Sequence, residues 1–218
     1  GALDNCPWDV LESRYKYYSE VIKLMFKSLG VSIKDLEIVR GSDFQLKKDY
    51  MFDVLQMSTF TSVNDCKRAG SEVVKFGDNP KLSGLIYPIM QALDEQYLGV
   101  DVQYGGVDQR KLFMFAREYL PKIKYERRIE VMTPMIPGLI GKKMSASVAE
   151  SKIDLLDDKE SIKKKLNKAY CPEGIIEDNG VLAFCKQVIM TLKQDNKKTT
   201  KCQIIQKLDT HLSRCHSE

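Results

Sequence analysis

Hydrophobic positions in the first part of the chain follow the spacing of helices and strands in alternation. Apolar residues recur every three or four positions from Trp8 to Leu29, which predicts a long amphipathic helix opened by Pro7. Gly30 stands where a left-handed C-terminal cap is expected. Leu36 to Val39 then has the composition of a short strand.

The same alternation continues along the chain. The predicted elements are a turn at Gly41-Ser42-Asp43, a helix from Lys48 to Met57, a helix around Tyr87, a strand from Val100 to Tyr104, a tight Gly105-Gly106 loop, a helix from Asp108 to Tyr119 with Asp108 as its N-cap, a strand from Arg128 to Met132 and an apolar helix from Gly180 to Leu192. Strands that alternate with helices of this length favour a parallel sheet with right-handed crossovers. The predicted fold class is therefore α/β.

Polar residues interrupt the apolar pattern on one face of the helix around Tyr87. Tyr87, Gln91 and Asp94 stand at positions i, i+4 and i+7, so a phenol, an amide and a carboxylate share that face. A core face would not carry these groups. The spacing therefore predicts a small polar pocket.

The Gly105-Gly106-Val107-Asp108-Gln109 segment lies between a predicted parallel strand and a helix. Open α/β sheets bind ligands at the carboxyl ends of their strands, where helix-starting N–H groups are free. Such a turn can also be only a tight connection. Asp101 and Gln103 place polar groups in a strand that a buried parallel sheet would fill with apolar residues, which favours a binding site.

Composition limits the class of protein. The 218 residues are 43% hydrophobic, enough for an ordinary core, and 34 basic against 30 acidic residues give only a weak indication of nucleic-acid contact. Six scattered cysteines and the lack of a signal-peptide pattern predict a reduced, cytosolic protein, and no apolar run is long enough to span a membrane. Both histidines lie in the last eight residues, which excludes a histidine-dependent site from the rest. The spacing of Cys202, His211, Cys215 and His216 matches no zinc pattern, so no metal site is expected.

Three segments together resemble one family. In order and spacing, Tyr87-Pro-Ile-Met-Gln91-Ala-Leu-Asp94, Gly105 to Gln109 and Lys143-Met-Ser-Ala-Ser147 resemble the tyrosyl-tRNA synthetases of the eukaryotic and archaeal type, from about Leu3 to about Lys193. The resemblance implies a Rossmann-like parallel sheet flanked by helices, followed by a helical C-terminal region. Residues 1–148 would be the C-terminal portion of the nucleotide-fold catalytic domain. Residues 149–218 would be a helical linker and part of the anticodon-binding region.

The resemblance also implies roles for individual residues. Tyr87 and Gln91 would hold the ammonium group of L-tyrosine, Asp94 would accept a hydrogen bond from its phenol, and Gln109 would join these contacts. The ATP ribose would lie against Gly105, Gly106 and Asp108.

The Lys143-Met144-Ser145-Ala146-Ser147 segment resembles the second signature of class I synthetases. Lys143, with Ser145 and Ser147, would act in catalysis by stabilising charge on the departing pyrophosphate. Ala146 departs from the signature, because many class I enzymes carry a second lysine there. The preceding loop, from Pro134 to Lys142, is rich in proline and glycine, as expected of a loop that closes over ATP.

The family's His-Ile-Gly-His-like motif has no counterpart in the chain, which predicts that the sequence is a large fragment. The implied activity is tyrosine-tRNA ligation with ATP as substrate, together with Mg²⁺; the implied partners are tRNA(Tyr) and a second subunit in a homodimer or pseudo-dimer. One alternative is a non-catalytic synthetase-like module that binds tyrosine or a partner protein, and another is that further segments of the polypeptide are missing from the sequence. The Lys163 to Lys165 run either contacts tRNA phosphates or is a solvated helix face.

Overall fold

The computed structural model describes residues 6–141 and 148–195 and divides into two compact units, Gly1–Met135 and Ile136–Glu218. The first unit contains α1 (Trp8–Ser28), α2 (Ser42–Gln45), α3 (Lys48–Ser58), α4 (Val63–Gly70), α5 (Leu82–Tyr97), β1 (Val102–Gly106), a 3₁₀ turn (Val107–Gln109), α6 (Arg110–Tyr119), a second 3₁₀ turn (Leu120–Ile123) and β2 (Ile129–Thr133). The functional assignment of residues 1–148 and 149–218 stays a prediction.

The two strands of the first unit pair in parallel. Val102 lies opposite Ile129 and Gly106 opposite Thr133, and α6 connects the strands. A parallel pair requires such a crossover because the chain must return to the same end of the sheet. The predicted α/β class, with a parallel sheet flanked by helices, is confirmed.

The core of the first unit is formed by the apolar stripes of four helices. Each stripe follows the i, i+3, i+4 spacing that puts side chains on one helix face. The buried core residues are Tyr50, Val54 and Met57 of α3, Cys66 and Ala69 of α4, Ile89, Ala92 and Leu93 of α5, and Leu112, Phe115, Ala116 and Tyr119 of α6, together with Leu120 and Ile123. This packing fixes α5, which carries the predicted polar face.

The first helix agrees with its prediction. It begins at Trp8 directly after Pro7, and Gly30 has a φ of 74°, the left-handed conformation expected just past a helix end. None of the residues of α1 is buried, so its apolar stripe is half-covered at most.

The strand predicted from Leu36 to Val39 is wrong. These residues have no regular secondary structure, and the Leu36 N–H donates to the Ile33 carbonyl in a turn. A strand requires a neighbour to receive its backbone hydrogen bonds, and among the described residues no segment pairs with this one. The turn predicted at Gly41 to Asp43 is the start of the short helix α2.

The second unit contains a 3₁₀ turn (Ala149–Ser151), α7 (Lys159–Asn167), α8 (Gly180–Phe184), a π-helical segment (Cys185–Ile189) and α9 (Met190–Asp195). The last three are consecutive, so the predicted apolar helix from Gly180 is confirmed, with a π turn inside it. Asn179 caps α8 by accepting a hydrogen bond from the Leu182 N–H at 3.1 Å. No helix among the described residues is both long and apolar enough to cross a membrane.

α5 and β2 each carry a buried carboxyl group. Glu95 is 2% exposed, and the side chain of Glu130 is 8% exposed. Arg117 pairs with Glu130 Oε2 at 3.2 Å, whereas Glu130 Oε1 has no hydrogen-bond partner among the described residues. Burial raises the pKa of Glu95 to about 7, and the charge of Glu130 adds to this effect while Arg128 opposes it.

We expect Glu95→Gln to raise the free energy of unfolding at pH 8 by about 1–2 kcal/mol. The folded-state pKa of Glu95, about 7, lies above its ordinary value of 4.5, so the stability that its proton contributes is present below pH 4.5 and is lost as the pH rises through 7. A neutral amide avoids this loss. Urea unfolding of both proteins from pH 4 to pH 8 measures it, with the exposed Glu37→Gln as control. Parallel pH curves for wild type and Glu95→Gln would contradict the prediction.

Candidate functional site

A pocket of about 950 Å³ lies in the first unit, beside the polar face of α5. Tyr87, Gln91, Asp94 and Gln109, the four side chains predicted to contact an amino acid, all line it. The first three lie there because helical spacing puts them on one face of α5, and Gln109 joins them from the turn that follows β1. The structure therefore brings the four predicted residues together.

The Asp94 carboxylate is held by two side chains from outside α5. Gln45 donates from Nε2 to Oδ1 at 2.9 Å and lies 3.2 Å from Oδ2, and the Tyr50 hydroxyl lies 2.8 Å from Oδ1. Burial raises the pKa of Asp94, and the bonds from Gln45 and Tyr50 oppose that rise. A carboxylate fixed in this way is suited to accept a hydrogen bond from a ligand hydroxyl.

Two acceptors lie within hydrogen-bond distance of the Tyr50 hydroxyl. It lies 2.7 Å from the Met90 carbonyl as well as 2.8 Å from Asp94, and it has one proton to donate. Burial and the negative charge of Asp94 raise the pKa of Tyr50, so the phenol stays protonated. The same two causes, in the same order, raise the pKa of Tyr87.

Gln91 and Gln109, two of the glutamines that line the pocket, bind each other. Gln91 donates from Nε2 to Gln109 Oε1 at 3.0 Å, and Gln109 donates to Asp108 Oδ2 at 3.2 Å. Gln91 Oε1 is buried and has no hydrogen-bond partner in the described part of the chain. A buried acceptor without a donor costs free energy, so this oxygen would favour a ligand with N–H groups, such as an ammonium.

The predicted Gly105-Gly106 loop is wrong, because both glycines belong to the end of β1. They pair with Met132 and Thr133, so β1 stays paired with β2 up to its last residue. A Cβ at Gly105 would lie 2.9 Å from the ring of Phe113, and one at Gly106 would collide with the Asp108 carboxylate. The Phe113 ring thus favours glycine at position 105, whereas at position 106 the Asp108 carboxylate would have to move to make room for a side chain.

The prediction that Asp108 caps a helix is also wrong. Val107–Gln109 forms a 3₁₀ turn, and the N-cap of α6 is Gln109. Asp108 thus already lies within helical backbone, and its carboxylate lies near Gly106 and accepts the bond from Gln109 instead. Of the other polar strand positions, Gln103 lines the pocket, whereas Asp101 is exposed just before β1.

The predicted catalytic segment lies outside the described residues. Lys143, Ser145 and Ser147 fall in the gap at residues 142–147, so their roles stay predictions. Cys202, His211, Cys215 and His216 also lie outside the described residues. Within the described ranges, no group of three or more histidine, cysteine, aspartate or glutamate side chains is arranged to hold a metal ion.

The three consecutive lysines of α7, Lys163 to Lys165, differ in their contacts and exposure. Lys165 Nζ pairs with Asp157 Oδ2 at 2.5 Å, and each side chain is 15% exposed. Lys163 and Lys164 are exposed. Only the latter two therefore present their charge freely to a polyanion.

Sequence reasoning missed Gln45 and Tyr50. Tyr50 falls on the apolar stripe of α3, at the spacing typical of core residues. Gln45 lies 49 residues before Asp94 in the sequence. A buried tyrosine usually needs a hydrogen-bond partner, and that requirement is the one signal that could have pointed to Tyr50.

Comparison with known proteins identifies the family of this chain. A sequence model of the tRNA synthetases class I (W and Y) matches residues 3–217. The chain belongs to this family.

Several relatives of this class I synthetase chain are named cytoplasmic tyrosine-tRNA ligases. The one from Gallus gallus is 55% identical over 195 residues, and the one from Saccharomyces cerevisiae is 51% identical over 195 residues; both matches cover 88% of this chain. The chain spans 37% of the length of the first and 50% of the second.

A solved structure has the same fold as this class I synthetase chain. It is the tyrosyl-tRNA synthetase from Archaeoglobus fulgidus complexed with L-tyrosine, which is 42% identical and has a TM-score of 0.71. The alignment covers 78% of this chain and 54% of that protein. The Rossmann-like architecture implied by the sequence resemblance is confirmed.

Proposed function

We propose that the chain is a segment of a tyrosine-tRNA ligase, which activates L-tyrosine with ATP and transfers it to tRNA(Tyr). The observation that carries this proposal is the pocket in which Tyr87, Gln91, Asp94 and Gln109 meet. The ligase names of the relatives and the L-tyrosine in the A. fulgidus protein support it.

Each polar group of the pocket suits one part of L-tyrosine. The Asp94 carboxylate accepts the substrate's phenolic hydrogen, and the unpaired Gln91 Oε1 accepts a hydrogen from its ammonium group. The Tyr87 hydroxyl and the Gln109 amide complete the ammonium contacts. Phenylalanine has no hydroxyl to donate to the half-buried Asp94 carboxylate, so such a site discriminates strongly against it; the principle is commonly illustrated with this enzyme class.

The reaction requires positioning and charge stabilisation. A carboxylate oxygen of tyrosine attacks the α-phosphorus of ATP, the bond to the β-phosphate oxygen breaks, and tyrosyl-adenylate and pyrophosphate form. Asp108 and the backbone at Gly105 and Gly106 hold the ribose. Lys143, Ser145 and Ser147 stabilise the charge on pyrophosphate. In the second step a ribose hydroxyl of the tRNA terminus attacks the activated carbonyl and AMP leaves.

We propose ATP as a substrate in its Mg²⁺ complex. The exposed Lys163 and Lys164 would contact tRNA phosphates. A homodimer or pseudo-dimer in the cytoplasm is proposed from the family resemblance and from the cytoplasmic names of the relatives.

Tyrosine-dependent exchange of pyrophosphate into ATP by the full-length protein tests the proposal. We expect exchange with L-tyrosine and at least about 10³-fold less with L-phenylalanine, because phenylalanine offers no hydroxyl to the half-buried Asp94 carboxylate. Calorimetry with L-tyrosine accompanies the assay. Binding without exchange would indicate a tyrosine-binding module in place of an enzyme, and the lack of both would overturn the proposed function.

A further inference from the structure

A buried carboxylate outside the pocket lining joins two tyrosines from different segments. Asp53 of α3 is 7% exposed. Its Oδ2 accepts hydrogen bonds from the Tyr97 hydroxyl at 2.7 Å and from the Tyr125 hydroxyl at 2.5 Å. Tyr97 ends α5, and Tyr125 follows the 3₁₀ turn Leu120–Ile123.

Two side-chain hydrogen bonds join α3 to α5, one at the pocket and one at Asp53. Tyr50 of α3 bonds Asp94 of α5, and one helical turn further along Asp53 of α3 bonds Tyr97 of α5. The i, i+3 spacing on each helix puts both links on one interface. The rings of Tyr50 and Tyr97 also pack edge to face with centroids 4.8 Å apart. Any shift of α3 along α5 therefore changes both links.

The hydroxyls of Tyr97 and Tyr125 both remain hydrogen-bond donors near neutral pH. Burial raises the pKa of Tyr97, and its hydrogen bond to Asp53 adds to the rise. The bond to Asp53 is the largest cause of the raised pKa of Tyr125. Two protonated phenols thus supply the Asp53 carboxylate with charge-assisted hydrogen bonds, which are stronger than neutral ones.

We propose that Asp53 is a positioning residue for substrate recognition: by fixing α3 against α5, it keeps the Tyr50 hydroxyl directed at Asp94. The proposal rests on the proposed function, in which Asp94 receives the tyrosine phenol. Without this tie the Tyr50 hydroxyl turns to its other acceptor, the Met90 carbonyl at 2.7 Å. Asp94 then keeps only Gln45 as a donor and loses its fixed orientation.

This role predicts a particular kinetic pattern. Asp53→Asn in the full-length protein should raise the KM for L-tyrosine by about 5- to 20-fold and lower the preference for tyrosine over phenylalanine by a similar factor. The kcat of pyrophosphate exchange and the KM for ATP should change by less than about twofold, because Asp53 is remote from the phosphates in this proposal. Asp49→Asn, an exposed acid on the same helix whose charge also raises the pKa of Tyr125, is the control for charge and should change all values by less than about twofold.

A double mutant tests whether Asp53 acts through Tyr50. Asp53→Asn should raise the KM for tyrosine much less in a Tyr50→Phe background, because the hydroxyl that Asp53 positions is already missing. Tyr125→Phe removes one donor, keeps the Tyr97 bond and should raise the KM in the same direction by about two- to fivefold. This milder variant replaces Asp53→Asn if the latter does not fold.

The outcomes separate the two proposals. Wild-type exchange with an unchanged KM and unchanged discrimination in a folded Asp53→Asn or Tyr125→Phe protein would overturn the positioning role and leave the proposed function standing. The same result accompanied by lower stability in urea would assign Asp53 to folding alone. Absence of tyrosine-dependent exchange and binding in the wild type would overturn both the function and this inference.

Discussion

Lys143→Ala is expected to slow tyrosyl-adenylate formation by about 100-fold or more while leaving the affinity for L-tyrosine nearly unchanged. The reason is that pyrophosphate gains charge as its bond to the α-phosphorus breaks, so a lysine at this position stabilises the transition state more than the ground state. Single-turnover adenylate formation by the full-length protein measures the rate, and calorimetry measures tyrosine affinity.

The neighbouring Lys142 offers a matched control for charge. Lys142→Ala removes the same charge from the adjacent position in the sequence and should change the rate by less than about threefold if the signature lysine alone contacts pyrophosphate. An unaffected rate in Lys143→Ala would remove Lys143 from catalysis, and equal losses in both variants would show that the Lys-Met-Ser-Ala-Ser segment acts only through its general charge.

Asp94→Ala is expected to weaken L-tyrosine binding by at least about 2 kcal/mol, or roughly 30-fold in the dissociation constant. The substrate hydroxyl would lose its acceptor, and Gln45 Nε2 would also lose its partner in a half-buried position. Phenylalanine should lose far less affinity, so the discrimination between the two amino acids should collapse. Calorimetry with both ligands provides the measurement.

Asp101→Ala, the removal of an exposed carboxylate just before β1, controls for the change in net charge. Its tyrosine affinity should match that of the wild type. Equal weakening in both variants would point to long-range electrostatics, and an unchanged affinity in Asp94→Ala would remove Asp94 from the recognition of the phenol.

The polar face of α5 could be predicted from the sequence because it depends on local spacing alone. Tyr87, Gln91 and Asp94 lie within two turns of one helix, and helical geometry fixes their common direction. The parallel arrangement of β1 and β2 also followed from the alternation of strand and helix.

The contacts that hold Asp94 could not be predicted in this way. Tyr50 is 44 residues from Asp94, and its place on an apolar stripe is typical of a core residue. Only the packing of α3 against α5 reveals that its hydroxyl reaches the pocket. The Tyr97 and Tyr125 bonds to Asp53 escaped prediction for the same reason, since each depends on tertiary packing.

The errors at strand and helix ends have a related cause. Leu36 to Val39 has strand composition, but a strand also depends on a partner elsewhere in the fold. At Gly105 and Gly106 glycine suggested a loop, whereas close approach of Phe113 and Asp108 explains the small residues. Sequence composition does not distinguish these two reasons for glycine.

The buried Gln91 Oε1 indicates a conflict between stability and activity at position 91. An unpaired buried acceptor costs about 1–3 kcal/mol, and an apolar side chain of similar size would avoid that cost at the smaller loss of the hydrogen bond from Gln91 to Gln109. Selection for folding alone would therefore favour methionine or leucine at this position. A design procedure that optimises stability would then remove the acceptor proposed for the ammonium group of the substrate.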